Sequence, residues 1–512
     1  MYDMVTTTPS TQLIIFGASG DLTRRKLIPA LAGLQAAGNL DSSISIIGVS
    51  RSKKTDEQYR DELANSIPSE LRDAYEQMKD RIFYHAADVT VSKQVEGLRV
   101  YLDTMAGENG AGRLFYLSLK PELFSRTLQA LGDNKMLKTP NADSPHWRRV
   151  VVEKPFGHDR ESARKLNDCM HDYLREDQIY RIDHYLGKET VQNILGFRFH
   201  NTIFEPLWNR HHIELVQITV AESIGVEKGR AGFYDENGAM RDVVQNHMLQ
   251  LLALVAMEAP ATLAADDIRN QKVEVLRALH CPDASDVAKQ SVRARYSAGE
   301  VDGESVIGYL DEEGVPDGSD TETYVALRVD VDNWRWSGVP FMLRHGKRMS
   351  KKFTEIKIQF RTPPVQLFNR PDGMSESDFR RKLKEGSLCQ ARPNVLTISV
   401  QPEEELTLSF GVKTPGADMV MTPAKLSFNY DNFFKSESAP AYQRLLLDAL
   451  QGDPTLFLRA DEIDASWLYT DEVIAGWNAP DAPAIIEYPA GSQGPDIADE
   501  LFSGCEGCWS RG

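Results

Sequence analysis

Residues 12–26 read Gln12-Leu-Ile-Ile-Phe-Gly17-Ala-Ser-Gly20-Asp-Leu-Thr-Arg-Arg-Lys26, which combines an apolar strand, a glycine-containing turn and the start of a helix. The helical spacing of apolar residues continues to Leu34, and a second apolar strand follows at residues 44–49. A strand, a turn, a helix and another strand open a βαβ unit with a parallel sheet. Later strands of this sheet are predicted at 113–118 and 149–153. The pattern therefore predicts an N-terminal α/β domain, which we place at residues 1–183.

The pattern changes beyond residue 210, where apolar and polar residues alternate with a period of two. Such alternation, with few long helices between the strands, predicts a mainly antiparallel sheet. Helices at 242–257 and 441–450 are expected to cover one face, and the acidic segment 299–322 is expected to be a solvent-exposed connection. The fold class is thus α/β plus β+α, with a larger C-terminal domain at residues 184–512. The alternating strands are predicted at 216–220, 325–331, 356–360, 396–400 and 406–412.

Composition and charge limit the compartment and the partners. The chain has 512 residues and a net charge of −17, from 75 acidic and 58 basic residues, and this charge opposes binding to nucleic acid or anionic membranes. The N-terminus lacks the regions of a signal peptide, and the longest apolar stretch, 243–257, is too short to cross a bilayer. Five cysteines fit a reducing compartment. We therefore expect a cytoplasmic protein.

The turn Gly17-Ala-Ser-Gly20 lies where a dinucleotide pyrophosphate meets free backbone amides at a helix N-terminus. Its spacing is also that of an ordinary structural turn, and a single glycine pair does not separate the two interpretations. Arg51 follows the second strand, where an NAD-binding fold carries an acidic residue for the ribose 2′-hydroxyl. A guanidinium binds a 2′-phosphate well, which favours NADP, although an exposed arginine at a strand end is the plain alternative.

Residues 181–189, Arg-Ile-Asp-His-Tyr-Leu-Gly-Lys-Glu, concentrate polar groups in a short segment. Gly187 suggests a bend that gathers His184, Tyr185 and Lys188 around one anion, for which a phosphate monoester is the natural candidate. A solvated polar turn is the alternative, because structural charge clusters are common.

His247 lies in an apolar helix that begins near Asp242. A histidine in such a stripe is usually a hydrogen-bonded core residue. Oxidation of an alcohol by hydride transfer, however, requires a base for the hydroxyl proton, and histidine titrates in the right range. If Asp183 reached His247, it would fix the tautomer and stabilise the imidazolium.

Further polar residues follow predicted strands, namely Lys154, Glu222, Lys347 and Lys352. Each lysine alone is expected to be a solvated surface charge. Together with His184 and Lys188 they would balance one dianionic phosphate.

Five motifs together resemble the glucose-6-phosphate dehydrogenase family over nearly the whole chain. They are Gly17-Ala-Ser-Gly-Asp-Leu, Glu153-Lys-Pro-Phe-Gly, the nonapeptide at 181–189, Arg241-Asp-Val-Val-Gln-Asn-His and Arg344-His-Gly-Lys. The resemblance implies a Rossmann-like dinucleotide-binding domain joined to a substrate-binding and oligomerisation domain. It also implies oxidation of glucose 6-phosphate to 6-phosphogluconolactone with NADP+, the first step of the oxidative pentose phosphate pathway, in a cytoplasmic homodimer or homotetramer without a metal.

The same resemblance implies roles for individual residues. His247 would be the base and Asp183 its partner, while His184, Tyr185 and Lys188 would hold the phosphate. Lys154 would lie between cofactor and sugar. Sugar hydroxyls would be bound by Glu222 and Asp242, and the substrate pocket would be closed by Lys347, Lys352 and Gln401. The cofactor would be lined by Gly17, Ala18, Ser19, Gly20, Asp21, Leu22, Thr23, Arg24, Arg51, Tyr116 and Lys154.

Three features depart from the family pattern. Lys352 stands where several relatives have arginine, so the planar fork is lost. Phe353 stands where a lysine serves a second, structural NADP site, so that site is not predicted here. Cys505 and Cys508 form a lone C-x-x-C pair, for which free thiols or a redox-responsive pair are the alternatives.

Two other functions remain open from the sequence. A non-catalytic NADP-binding regulatory protein would have lost the base or the phosphate-binding residues, yet His247, Asp183, His184 and Lys188 are all present. An enzyme of the same kind that uses NAD or another hexose 6-phosphate is the second alternative, because one residue near the ribose does not fix the full difference in affinity.

Overall fold

The structure is a computed structural model. It describes residues 10–139, 144–227, 229–364, 374–375, 377–378, 393–416, 421–434, 439–480, 482–503 and 508–512. None of the helices in this part of the chain combines the length and the apolar character that a membrane crossing requires.

The strands, in chain order, are β1 (Ser10–Phe16), β2 (Ile44–Ser50), β3 (Ile82–Ala86), β4 (Ala111–Leu117), β5 (Arg148–Val152), β6 (Ile179–Ile182), β7 (Ile213–Ala221), β8 (Ser291–Ser297), β9 (Gly299–Val301), β10 (Glu304–Val306), β11 (Tyr324–Val329), β12 (Phe341–Gly346), β13 (Phe353–Phe360), β14 (Val395–Gln401), β15 (Glu405–Lys413), β16 (Met421–Asn429), β17 (Phe457–Leu458) and β18 (Ile486–Pro489).

The α-helices are α1 (Ile28–Ala36), α2 (Asp56–Ala64), α3 (Arg72–Met78), α4 (Ser92–Ala106), α5 (Phe124–Asp133), α6 (Arg160–His171), α7 (Glu189–His200), α8 (Ala231–Ala239), α9 (Leu249–Ala256), α10 (Ala265–Arg277), α11 (Ala284–Gln290), α12 (Tyr430–Phe434), α13 (Ala441–Gln451) and α14 (Ala460–Trp477). Two segments are π-helical, Thr23–Leu27 and Met240–Met248.

The first of two compact units comprises the described residues up to Lys188, together with Pro260–Gln271 and Ala439–Ala465. Its sheet has the order β17-β6-β5-β4-β1-β2-β3, and every pair is parallel except β17 with β6. The strands are apolar throughout, as burial on both faces requires. Side chains of α1 and α13 join strand residues in one core that includes Ile15, Leu31 and Leu446.

The second unit comprises the described residues within Glu189–Ala259, Lys272–Ser438 and Ser466–Gly512. Its main sheet has the order β16-β15-β14-β13-β7-β12-β11-β8-β18. Neighbours run antiparallel except for β7 with β12 and β8 with β18, which are parallel. The predicted fold class, a Rossmann-like parallel sheet followed by a mainly antiparallel one, is confirmed.

Two local predictions were wrong, and a third holds only in part. The segment predicted as one α-helix at 242–257 is π-helical up to Met248, so α-helical spacing does not hold around His247. The helix at Ala441–Gln451 belongs to the first unit, where it packs on α1. The acidic segment 299–322 contains the hairpin of β9 and β10 and a fully buried Tyr309, whose hydroxyl donates to Asp235 at 2.7 Å.

Candidate functional site

In the first unit the predicted site residues lie at one edge of the sheet. Parallel strands end at the same edge, and ligands of such sheets bind beyond those ends. Gly17 directly follows β1, Arg51 directly follows β2, and Asp183 directly follows β6. Lys154 lies two residues beyond β5. The strand order therefore places Lys154 and the 181–189 segment on neighbouring strands.

The Gly17 turn has a backbone that accepts only glycine at its first position. Gly17 has a φ of +75°, and a Cβ there would lie 1.8 Å from the carbonyl oxygen of Ser118. The amide of Gly20 donates to the Gly17 carbonyl at 2.8 Å, and helical structure begins at Asp21. This close packing leaves a backbone surface suited to a pyrophosphate.

The other predicted residues of this turn differ in exposure. Ala18 and Thr23 are buried, whereas Gly20 and Asp21 are exposed. The Asp21 carboxylate pairs with Arg24 at 3.1 Å at the surface. Leu22 and Ser19 are partly buried.

Arg51 is exposed, as a contact with a ribose 2′-phosphate requires. Beside it, the hydroxyls of Ser19 and Ser50 are 3.0 Å apart, and the Lys54 ammonium donates to Ser19 Oγ at 3.3 Å. Lys54 also pairs with Glu62. The sequence pattern did not indicate Lys54, although its place three residues after Arg51 was a usable signal.

Tyr116 and the Glu153-Lys154 motif are connected through a carboxyl. The Tyr116 side chain is fully buried, and its hydroxyl donates to Glu153 Oε1. Tyr442 of α13 hydrogen-bonds to the same carboxyl. Burial raises the pKa of Glu153 to about 7, although the two tyrosines and Lys154 act in the opposite direction.

The 181–189 segment forms a tight turn after β6. Asp183 is buried and its Oδ1 accepts from the Tyr185 amide at 2.9 Å. The Lys188 ammonium lies 4.9 Å from the centroid of the Tyr185 ring, and the His184 and Tyr185 ring centroids are 5.1 Å apart. His184, Tyr185 and Lys188 are therefore close together, as predicted from the sequence.

Gly187 has a role that the sequence did not reveal. A Cβ at this position would lie 2.9 Å from the carbonyl oxygen of Ala441 and 3.0 Å from its Cβ. The glycine therefore allows the start of α13 to approach the turn closely, and it places Tyr442 beside His184. The ring centroids of these two residues are 6.5 Å apart, with an interplanar angle of 8°.

In the second unit the strand register explains why distant residues converge at one edge. β7 and β12 are parallel, with Ala221 opposite Gly346, so the residues that follow them, Glu222 and Lys347, are neighbours. β13 runs antiparallel to both β7 and β14, so its first residues lie at the same edge as Glu222 and as Gln401, the last residue of β14. Lys352, which directly precedes β13, is exposed there.

Glu222 and Lys347 form an ion pair of 2.6 Å with side chains only 27% and 10% exposed. Burial alone would raise the pKa of the Glu222 carboxyl, but the Lys347 ammonium outweighs it, and the pKa lies below the usual value. Asp242 acts on the same carboxyl in the opposite direction. Gln401 donates to Thr354 Oγ1 at 2.9 Å.

His247 and Asp242 both belong to the π-helix Met240–Met248, which packs against β12. His247 is 3% exposed, and Asp242 is partly buried. A π-turn at this place fits the frequent occurrence of such turns at functional sites.

His345 is a residue of this edge that the sequence pattern did not indicate. It is fully buried, and its Nδ1 lies 2.8 Å from the carbonyl oxygen of Val220. Burial lowers its pKa to about 4, against the opposing influence of Glu222. It is therefore neutral near pH 7 and adds no charge to this edge.

Of the pair Cys505 and Cys508, the first lies outside the described residues. Cys508 is an exposed free thiol, and its carbonyl oxygen accepts from Gln217 Nε2 at 3.0 Å.

Comparison with known proteins shows to which family this chain belongs. Two family models match, the glucose-6-phosphate dehydrogenase NAD binding domain at residues 14–193 and the glucose-6-phosphate dehydrogenase C-terminal domain at residues 195–510. The chain is 42% identical to a glucose-6-phosphate 1-dehydrogenase of Chlamydia pneumoniae, covering 97% of this chain and 95% of the relative. It is 40% identical to that of Bacillus subtilis, covering 96% and 97%.

Two solved structures are similar over almost the full length. A glucose-6-phosphate dehydrogenase in complex with glucose 6-phosphate has a TM-score of 0.84 and 34% identity, covering 99% of this chain and 100% of that one. A glucose-6-phosphate 1-dehydrogenase from Mycobacterium avium has a TM-score of 0.78 and 34% identity, covering 98% and 99%. This chain belongs to the glucose-6-phosphate dehydrogenase family.

Proposed function

We propose that the protein oxidises D-glucose 6-phosphate to 6-phospho-D-glucono-1,5-lactone and reduces NADP+ to NADPH. The observation that carries the proposal is the convergence of Glu222, Lys347, Lys352 and Gln401 at one sheet edge, set by the register of four strands. A sugar phosphate offers hydroxyls to the carboxylate and amide groups and a dianion to the lysines.

The dinucleotide turn fits the cofactor. The backbone at Gly17 is close to Ser118 and carries no side chain, which suits contact with a pyrophosphate. We assign the pyrophosphate to Gly17–Arg24 and the 2′-phosphate to the exposed Arg51, with Lys154 toward the nicotinamide. When bound, NADP+ supplies the hydride acceptor. Tyr116 is fully buried, so we assign it an indirect part through Glu153.

His247 accepts the proton of the C1 hydroxyl as hydride leaves C1. Asp183 is the proposed partner that favours the protonated form of this base. His184, Tyr185 and Lys188 hold the phosphate, and Glu222 and Asp242 accept hydrogen bonds from sugar hydroxyls. Lys347, Lys352 and Gln401 close the pocket. The C1 hydroxyl proton would go to His247 and the C1 hydride to the bound NADP+, so that atoms and charge balance.

The test is an assay of NADPH absorbance with glucose 6-phosphate, run in parallel with NADP+ and with NAD+. The wild-type protein should turn over with NADP+, and His247→Asn should lower kcat by about 10²-fold or more. A wild-type protein that gives no NADPH at any concentration would contradict the proposal.

We further propose that residues 1–183 bind the dinucleotide and that residues 184–512 bind the substrate and form a cytoplasmic homodimer or homotetramer. The alternating apolar strands of the second unit supply a large sheet on which such an interface can form. Light scattering of the purified full chain measures the mass, and a monomer at assay concentration would contradict the oligomer.

A further inference from the structure

In the first unit, a series of side-chain contacts connects the Glu153-Lys154 motif with the 181–189 segment. The proposed mechanism uses these two motifs separately. Tyr116 and Tyr442 both hydrogen-bond to the carboxyl of Glu153, the residue that precedes Lys154. The ring of Tyr442 lies almost parallel to the imidazole of His184. The connection runs from β4, through the end of β5, to the segment that holds the phosphate in the proposed function.

The residues on either side of Tyr442 both approach glycines closely, one through its backbone and one through its side chain. Gly187, beside the phosphate-binding residues, leaves room for Ala441. Gly33 of α1 leaves room for Gln443, whose Oε1 would lie 2.4 Å from a Cβ at that position. The backbone approach of Ala441 to Gly187 therefore sets the start of α13 beside the turn that carries His184.

From this geometry we propose that Glu153 and Tyr442 are positioning residues for the phosphate end of the substrate. Glu153, anchored by Tyr116, fixes the hydroxyl of Tyr442, and the Tyr442 ring fixes the plane of the His184 imidazole. The inference rests on the proposed function, in which His184 binds the phosphate.

The physical reason lies in the geometry that a charged hydrogen bond requires. The His184 ring is partly buried, and the rings of Tyr185 and Tyr442 lie beside it at centroid distances of 5.1 and 6.5 Å. A phosphate oxygen is bound well only when an imidazole N–H points toward it, and ordering that ring in advance saves its conformational entropy on binding. The Tyr442 ring supplies the restraint, and the Glu153 carboxyl prevents the tyrosine from turning away.

The experiment measures glucose 6-phosphate binding by calorimetry and turnover by NADPH absorbance for four variants. Tyr442→Leu removes the ring. Tyr442→Phe removes only the hydroxyl that donates to Glu153, and Glu153→Gln replaces the carboxyl acceptor by a weaker, neutral amide of the same shape. Tyr75→Phe is the matched control, because this buried tyrosine of α3 donates to the Arg60 carbonyl at 2.6 Å, within another part of the unit.

Tyr442→Leu should weaken glucose 6-phosphate binding about tenfold, and the two conservative variants about twofold to threefold, with kcat changed less than about twofold. For the two Tyr442 variants, the KM for NADP+ and the kcat/KM for glucose, which lacks the phosphate, should remain unchanged. Adding Tyr442→Leu to His184→Ala should cause little further loss, because the two residues act as one unit.

Equal losses with glucose and with glucose 6-phosphate, or full additivity with His184→Ala, would assign Tyr442 a merely structural role and overturn the inference. If Tyr442→Leu does not fold, the conservative variants give the same comparison. A wild-type protein that binds glucose 6-phosphate without turnover would refute the proposed function alone, since the binding comparison still decides the inference. Absence of both binding and turnover would overturn both.

Discussion

The two units carry the charge of the proposed site in different ways. At the dinucleotide turn of the first unit the charged groups are exposed, since the Arg24 and Asp21 side chains are 42% and 68% exposed and Arg51 is open to solvent. At the sheet edge of the second unit, Glu222 and Lys347 are largely enclosed. Exposed charges are screened and interact weakly, whereas enclosed charges depend on their partners. Substitutions should therefore have steeper effects in the second unit.

The largest effect is expected from the buried His247 of the second unit, and a small effect there would refute the difference between the two units. His247→Asn keeps a polar side chain that can hydrogen-bond but removes the imidazole base, so kcat should fall by roughly 10² to 10⁴-fold. The KM for glucose 6-phosphate should change much less, because the substitution removes an interaction of the transition state. Steady-state kinetics with NADP+ measures both. Circular dichroism before and after heating is the control for folding. If kcat decreases by less than about tenfold, His247 is not the base and has a structural role.

The next largest effect is expected from Lys347→Ala. The variant removes a cation from the substrate pocket and leaves Glu222 as an enclosed carboxylate without its partner, and breaking a buried pair in this way costs about 3 kcal/mol or more. The kcat/KM for glucose 6-phosphate should fall by about 10²-fold, and thermal unfolding should occur at a lower temperature.

Glu222→Gln in the same background is the control for the ion pair. The double variant should regain the stability lost in Lys347→Ala, because no unpaired carboxylate remains, while activity stays low. An unfolding temperature that does not recover would show that the enclosed pair is not the source of the loss.

The first unit also has a carboxyl with a raised pKa, that of Glu153, which tests whether the surroundings of a group or the unit to which it belongs determines the size of the effect. Burial raises the pKa of Glu153 from 4.5 to about 7, and the carboxyl faces Tyr116 on β4, Tyr442 on α13 and Lys154 on its own strand end. Between these two pH values the folded state keeps a proton that the unfolded state has lost. Stability should therefore fall as pH rises from about 4.5 to 7.

Glu153→Gln should remove that dependence, which is at most on the order of 3 kcal/mol. Urea unfolding at pH 5 and pH 8 measures it, and the variant should show a smaller difference between the two values than the wild-type protein. An identical pH dependence of stability in both proteins would mean that a group other than Glu153 causes it.

How far the sequence predicts this structure depends on the range of the interactions. The parallel sheet and the residues that follow its strands were predicted because apolar strands, glycine turns and helices leave local patterns, as around Gly17. The meeting of Glu222 with Lys347 required the register of β7 and β12, which no local pattern encodes. Tyr442 lies far along the chain from His184 and reaches it only because α13 packs on α1, and the period of the apolar residues does not reveal the partner of a helix.

The π-helix around His247 could not be predicted from periodicity for a related reason. A π-helix has more residues per turn than an α-helix. The same apolar residues can therefore form either helix, and only the face on which each side chain lies differs. The same limit applies to the buried Tyr309, because an acidic segment predicts exposure and the buried hydrogen bond to Asp235 depends on a distant helix.

Arg51→Ala should give an intermediate effect confined to the cofactor. An exposed guanidinium that binds a phosphate contributes roughly 1.5–2 kcal/mol, so the ratio of kcat/KM for NADP+ to that for NAD+ should fall by about 10- to 30-fold. The kcat/KM with NAD+ should hardly change. Lys54→Ala is the companion variant, because Lys54 contacts Ser19 beside the same strand end. An unchanged cofactor ratio in Arg51→Ala would remove its assigned role.

Arg24→Ala should have the smallest effect of these substitutions, because Arg24 pairs with Asp21 at the surface. The Arg24–Asp21 pair is exposed on both sides, and such pairs contribute less than about 1 kcal/mol. If Arg24 only pairs with Asp21, kinetics with NADP+ should change less than about twofold, and raising the salt concentration should remove even that difference. A fall in kcat/KM for NADP+ as large as that of Arg51→Ala would mean that exposure does not predict the size of an effect at this turn, because the guanidinium would then contact the cofactor itself.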